Sequence, residues 1–98
     1  MDYIKILILT YYCFMAKLTT KDIELKNKIK SRINLLLKEK GINQSELASL
    51  SLKDRQAINR WTNLNNTRGI TIYTIGEICE TFHINLKEFF DHPIFNTQ

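Results

Sequence analysis

The amino-acid sequence predicts a compact, all-α fold of five helices within residues 19–92 of a 98-residue chain. Apolar residues recur at intervals of three and four along several stretches, which is the period of one face of a helix. Residues that cap helix N-termini stand before these stretches, and short segments rich in Asn, Thr and Gly separate them. A chain of this length is expected to form one domain.

The first predicted helix lies within residues 17–40, where Thr19 and Asp22 have the spacing of a capping box. Its inward face is expected to hold Leu25, Ile29, Ile33, Leu36 and Leu37. Its other face holds Lys26, Lys28, Lys30, Arg32 and Lys38. This basic face is expected to be solvated, or to bring some lysines near phosphates. Gly41 is predicted to end the helix in a left-handed conformation, and Ile42 to pack just before the next helix.

Residues 43–61, NQSELASLSLKDRQAINRW, predict two short helices joined by a tight turn. Asn43 is placed to cap the first of them, with Glu46 closing a capping box, and Asp54 is placed to cap the second. The residues expected to face inward are Leu47, Ala48, Leu50, Ile58 and Trp61.

The outward face of the second of these helices is polar. At about 100° per residue, Gln56, Asn59, Arg60 and Asn63 fall opposite the buried face. Arginine can bind O6 and N7 of guanine with two hydrogen bonds, and Gln or Asn can bind N6 and N7 of adenine in the same way. The pattern therefore predicts a helix that lies in a groove of DNA.

These residues also carry a family resemblance. The residues that carry it are Gln44, Leu47, Ala48, Ile58 and Trp61. They resemble the helix-turn-helix of the lambda-repressor and Cro-like regulators, the XRE family, and the resemblance covers residues 25–91. It implies a lambda-repressor-like five-helix domain that binds double-stranded DNA through the major groove.

The turn departs from the family pattern at two positions. Leu52 stands where the turn usually has glycine, and Lys53 stands where an apolar residue usually follows. Either Leu52 takes the apolar role in a shifted turn, or one residue of the turn is strained.

Residues 62–69 follow as a loop rich in Asn, Thr and Gly. In the family that the chain resembles, the corresponding loop lies along the DNA backbone, which fixes orientation rather than sequence. The alternative is a plain polar surface loop. The complete predicted DNA-binding set is Gln44, Lys53, Arg55, Gln56, Asn59, Arg60, Asn63, Asn65, Asn66 and Arg68. Gln44 would bind a phosphate at a helix N-terminus.

Two further helices are predicted, with Thr71 and Asn85 as their caps and Glu88 closing a box with Asn85. Their inward residues are expected to be Ile72, Ile75, Ile78, Cys79, Phe82, Leu86, Phe89 and Phe90. His83 is expected to be a surface residue at the end of the first of these helices. Pro93 is expected to stop the second, leaving residues 93–98 as a loose tail.

Residues 1–18 form an apolar extension ahead of the domain. The apolar run from Ile4 to Phe14 is shorter than the about 20 residues of a membrane-spanning helix and lacks the features of a signal peptide. It could form a strand that pairs with a second subunit or folds back, a helix that packs on the domain or a partner, or a membrane anchor. Alternatively, the natural start is Met15.

Composition excludes several classes of function. The net charge of +4 suits a polyanionic partner without demanding one. Neither cysteine, Cys13 or Cys79, has a spacing that predicts a zinc site or a disulfide framework, which fits a reducing cytoplasm. No glycine-rich phosphate loop or convergent catalytic groups are present, so neither an enzyme nor a cofactor or metal is expected.

The favoured hypothesis is a cytoplasmic, sequence-specific DNA-binding transcriptional regulator, a repressor in the simplest case, acting as a homodimer. One such unit contacts few bases, which favours a dimer on two half-sites. One alternative is an antitoxin or other protein-interaction module with a protein partner, and another is a helical adaptor that has lost DNA binding. No membrane partner is expected. The operator sequence, the direction of regulation and the host process are not determined by fold.

Overall fold

A computed structural model describes residues 19–96, which are all helical or loop. The elements are α1 (Thr20–Lys40), α2 (Gln44–Ser51), α3 (Arg55–Thr62), α4 (Ile72–Phe82), α5 (Leu86–Phe90) and a 3-10 helix (Pro93–Phe95). Within these described residues, the predicted all-α fold of five α-helices is confirmed. The predictions for residues 1–18, including those for the apolar run and Cys13, lie outside the described residues.

Every α-helix begins at the predicted cap. The side-chain oxygens of Thr19, Asn43, Asp54, Thr71 and Asn85 each accept a hydrogen bond from the backbone N–H three residues on, at 2.8–3.2 Å. At three of them the capping box is closed by an acidic side chain. Because each cap satisfies a backbone donor that the helix cannot, each contributes about 1 kcal/mol relative to alanine.

Three helices end in a left-handed residue. Gly41, with φ of 68°, closes α1 as predicted. Leu52, with φ of 57°, closes α2 while its side chain is 91% exposed. Leu52 therefore takes no apolar role, and the strained turn is the alternative that the structure contains. His83, with φ of 58°, closes α4 and is exposed, in agreement with the prediction.

The core lies where α1, α2, α3 and α4 meet, with α5 closing one end. Its buried residues are Ile33, Leu36, Leu37, Leu47, Ala57, Ile58, Trp61, Ile75, Ile78, Cys79, Phe82 and Phe89. Ile29, Ile42, Ala48 and Phe90 pack against it while partly exposed. Cys79 is a buried free thiol, as predicted.

Four residues predicted to face inward are substantially exposed, and the prediction was wrong for them. They are Leu25, Leu50, Ile72 and Leu86. Each lies within the first two turns or the last turn of its helix, where no other helix of residues 19–96 covers its side chain. The helical period assigns a residue to a face, but it carries no information on how far along the helix that face is covered.

The predicted solvated face of α1 is also wrong at two positions. Lys30 and Arg32 are buried, with 0% and 6% exposure. The loop after α3 covers one flank of α1, and α5 covers another. The backbone carbonyls of those segments accept the hydrogen bonds of both cations, as buried polar groups require. Lys38 is exposed, as predicted.

The segment after α5 differs from the loose tail that Pro93 suggested. Residues 93–95 form the 3-10 helix, and the Phe95 ring lies 5.1 Å from that of Phe90 and 6.3 Å from that of Phe89, between centroids. The His92 imidazole accepts the backbone N–H of Ile94 through Nδ1. Aromatic packing therefore holds this segment against the core.

Candidate nucleic-acid interface

The interface begins with the packing of α2 on α3. Leu47 of α2 and Ile58 of α3 are buried to 0% and 1% exposure, and the turn through Leu52 joins the two helices. Because α3 has only two turns, burial of Ile58 and Trp61 fixes its rotation. The side of α3 opposite the core is therefore a defined surface.

That surface agrees in part with the predicted outward face, in which Asn63 is half-buried. Arg55, Gln56 and Asn59 are exposed, and Arg60 is half-buried. Asp54 lies at the start of the same helix, but its carboxylate accepts the N–H of Ala57 as the helix cap. Guanidinium and carboxamide groups thus dominate the exposed side of α3.

The loop after α3 continues this surface. A shallow groove, which we call the α3 groove, is lined by Arg55, Gln56, Asn59, Arg60, Asn66 and Arg68. Three guanidinium groups and three carboxamides line it, and no acidic side chain does. Such a lining is complementary both to phosphates and to base edges in the major groove.

Gln44 adjoins the α3 groove. It is exposed at the start of α2 and lines a second depression together with Ser45, Ala48, Arg55 and Ile58. Arg55 lines both concavities, so the N-terminus of α2 lies beside the α3 groove. Ser45, which the sequence prediction did not include, lines the same depression in the first turn of α2.

Two asparagines shape the loop. The side-chain oxygen of Asn63 accepts the N–H of Asn65, and that of Asn66 accepts the N–H of Arg68, both at 2.9 Å. These are successive Asx turns, in which a side chain takes the place of a backbone carbonyl. Asn63 and Asn65 do not line the α3 groove, whereas Asn66 and Arg68 do.

Lys53 is a predicted DNA-binding residue that the structure places away from both α3 and the loop after it. Its Nζ lies 3.1 Å from a carboxylate oxygen of Glu77 on α4. It lines a different groove, together with Leu52, Glu80 and His83 among others. The turn after α2 directs Lys53 towards α4 and away from the groove formed by α3 and its loop.

The described part of the chain holds no group of three or more His, Cys, Asp or Glu residues that could bind a metal ion. None of the helices between Thr20 and Phe95 has the length and apolarity needed to cross a membrane. Burial raises the pKa of the Cys79 thiol, which the charge of Arg32 partly opposes.

Two short helices joined by a tight turn, the second with one buried and one polar side, define a helix-turn-helix DNA-binding domain. Comparison with protein-family models matches residues 32–93 to the Cro/C1-type HTH DNA-binding domain. The match spans more than half of the chain and includes the whole α3 groove. The chain therefore belongs to this family of DNA-binding helix-turn-helix proteins. Comparisons with curated proteins and with solved structures found no match.

Proposed function

We propose that the protein is a sequence-specific transcriptional regulator, a repressor in the simplest case, whose α3 enters the major groove of double-stranded DNA. The α3 groove carries this proposal, because it gathers three guanidinium and three carboxamide groups on α3, which packs on the core, and on the loop that follows it. The major groove is about 12 Å wide and admits one α-helix. A repressor is the simplest case because binding at a promoter can by itself block transcription.

The residues divide by position into two roles. Gln56 and Asn59, exposed on α3, would bind base edges, with adenine as the geometric match for their amides. Arg55 and Arg60 would bind guanine or the phosphates that flank it. Arg68, on the loop, would bind phosphate and so set the orientation of the domain rather than its sequence preference.

Gln44 would bind a phosphate on the other side of α3, at the N-terminus of α2, where backbone N–H groups favour an anion. Asn65 and Asn66 would add contacts from the loop to the DNA backbone. Asn63 shapes this loop by accepting the N–H of Asn65. We leave Lys53 outside the proposed contacts because Glu77 already partners its charge.

A single α3 reaches only a few base pairs, so we propose that the protein binds as a homodimer. The two copies of α3 would then enter successive major grooves on one side of the duplex, about 34–36 Å apart. The operator would have the two-fold symmetry of the dimer.

Selection of bound sequences from a random duplex pool tests the proposal. The wild type should enrich one palindromic motif, whereas a variant carrying Gln56→Ala, Asn59→Ala and Arg60→Ala should enrich none. None of these three side chains belongs to the buried core, so circular dichroism should show the same helix content. A wild-type pool without an enriched motif would overturn sequence-specific binding, and the absence of any salt-sensitive affinity for duplex DNA would overturn DNA binding altogether.

A further inference from the structure

Three polar residues spaced four apart on α1 point towards the end of α3. Lys26, Lys30 and Asn34 share one face of the helix because four residues are close to one turn. The Lys30 ammonium donates to the carbonyls of Asn66 at 2.8 Å and Asn63 at 3.2 Å. Lys26 donates to the Asn66 carbonyl at 3.4 Å, and the Asn34 amide donates to that of Thr62 at 2.9 Å. We call these three residues the α1 ladder.

The chain leaves α3 without the left-handed turn that ends α1, α2 and α4, although the N–H of Asn63 still donates to the carbonyl of Asn59. A helix leaves its last carbonyls without partners inside the helix. In α1, α2 and α4 a left-handed residue turns the chain back to bond them, but Asn63, which follows α3, has an extended conformation with φ of −86° and ψ of 112°. Within the α1 ladder, Asn34 bonds the last carbonyl of α3, that of Thr62, and the two lysines bond carbonyls of the loop that follows.

Lys30 occupies its position at an energetic cost. Its side chain is buried, and among the described residues it forms no salt bridge, so backbone carbonyls alone accept its hydrogen bonds. Burial, and then the charge of Lys26, lower the pKa of Lys30. An apolar side chain would fill this site without the desolvation cost of an ammonium group. The role of the Lys30 charge at this site is therefore to form the hydrogen bonds with the two carbonyls.

Those contacts lead directly to the α3 groove. Asn66 receives both lysines on its backbone carbonyl, and its side chain in turn accepts the N–H of Arg68. Asn66 and Arg68 form the loop side of the groove. A path of three hydrogen-bonded residues thus runs from the interior of the domain to a predicted phosphate contact.

We propose that Lys30, supported by Lys26 and Asn34, is a positioning residue for DNA binding. It holds the loop of residues 63–68 in the conformation that places Arg68 beside α3, and it does not touch DNA itself. This inference rests on the proposed function, since it assigns the loop side of the α3 groove to the DNA backbone.

The first test compares Lys30→Met with Lys21→Met, an exposed site on the same helix that controls for the loss of one positive charge. Binding is measured with the motif selected by the wild type, at one ionic strength and at a temperature where denaturation curves show each variant folded. Lys30→Met should weaken binding about tenfold, which is close to the contribution of one hydrogen bond from a charged group. Lys21→Met should weaken it less than about threefold. Equal affinities for the two variants would overturn the proposal.

A double-mutant cycle with Arg68→Ala separates positioning from a general effect on the fold. If Lys30 acts through Arg68, Lys30→Met should cost much less in the Arg68→Ala background than in the wild type. An equal loss in both backgrounds would overturn the proposal. If Arg68→Ala itself binds like the wild type, the proposed loop contact fails instead, so the two failures are distinguishable.

Amide hydrogen exchange of the free protein gives a readout that needs no DNA. Lys30→Met should speed exchange at the Arg68 N–H, which Asn66 protects, while the Ile58 N–H inside α3 keeps its protection. Unchanged exchange at Arg68 would contradict the inference. Should Lys30→Met not fold, Lys26→Met, which removes the second lysine contact with the Asn66 carbonyl at a half-buried site, takes its place with the same expected and contradicting results.

Discussion

Arg32 donates a hydrogen bond from Nε to the backbone carbonyl of Phe89 at 2.7 Å, across 57 positions of the chain. Its Nη2 donates to the carbonyl of Glu88 at 3.1 Å, and its guanidinium lies 5.9 Å from the centroid of the Phe89 ring. Because α5 has only five residues, it has few hydrogen bonds of its own. Arg32 therefore fastens α5 to α1.

Replacing Arg32 with Met should lower the free energy of unfolding by about 2–3 kcal/mol. The change leaves two carbonyls near the core without their donors, and such groups retain most of their desolvation cost. Urea denaturation of the purified protein measures the effect. Lys38→Met, at an exposed site on the same helix, should stay within about 0.5 kcal/mol of the wild type. Equal losses for both variants would refute the role given to Arg32.

Leu52→Gly should stabilise the domain by up to about 1 kcal/mol. The left-handed conformation costs an ordinary residue about 1–2 kcal/mol, whereas glycine adopts it freely but loses more entropy on folding. Leu52 is 91% exposed, so removing its side chain forfeits almost no burial. Thermal denaturation shows whether Leu52→Gly raises or lowers the stability of the domain. Leu50→Gly is the control. Leu50 is exposed within α2, where glycine should instead cost about 1 kcal/mol.

Single substitutions on α3 should relax base preference. Gln56→Ala or Asn59→Ala should each lower discrimination at one base pair of the operator by about 1–3 kcal/mol, because one bidentate contact is lost. Binding to a panel of singly substituted operators measures this. Lys53→Ala should leave the preferred sequence unchanged, since that side chain lies against Glu77. A preferred sequence that survives both α3 substitutions would remove these residues from base recognition.

Arg68→Ala should weaken binding to all DNA sequences by a similar factor. A phosphate contact carries no sequence information, and its loss should also reduce the slope of log affinity against log salt by about one. Titrations at several salt concentrations, with operator and random duplex, provide both quantities. A loss confined to the operator would make Arg68 a base contact instead.

Phe95→Ala should lower the free energy of unfolding by about 2 kcal/mol. This is roughly half the loss that follows when a fully buried phenylalanine is replaced with alanine. The ring is partly buried against Phe89 and Phe90, so its removal leaves a cavity at the end of α5. Chemical denaturation tests this, with Asn96→Ala as the exposed neighbouring control. A Phe95→Ala variant as stable as the wild type would restore the loose tail that the sequence suggests.

Cys79 should react slowly with a thiol reagent at pH 8 in the native protein. The thiolate is the reactive form, and burial both blocks access and raises the thiol pKa. The measurement uses a Cys13→Ser variant, in which the absorbance of the reagent reports the reaction of Cys79. In urea the reaction should become fast. A native rate equal to the unfolded rate would show that this part of the core opens readily.

Part of the candidate site was predictable from local sequence, and the rest depends on contacts between distant segments. The groove residues of α3 were predictable because they follow from one local fact, that Ile58 and Trp61 share a buried face. The placement of Lys53 was not, because it depends on where Glu77 of α4 lies. The support that Lys30 gives to the loop likewise depends on carbonyls more than 30 residues away.

The sequence by itself determined the five helices, their caps and the polar side of α3. Capping bonds span three residues and a helical face repeats every three or four, so spacing alone encodes them. Only the tertiary structure decided that Lys30 and Arg32 are buried, that Leu50 is exposed, and that Phe95 packs on the core. The physical reason is that a cation leaves water only where distant carbonyls happen to meet it, and an apolar side chain is covered only where another element reaches it.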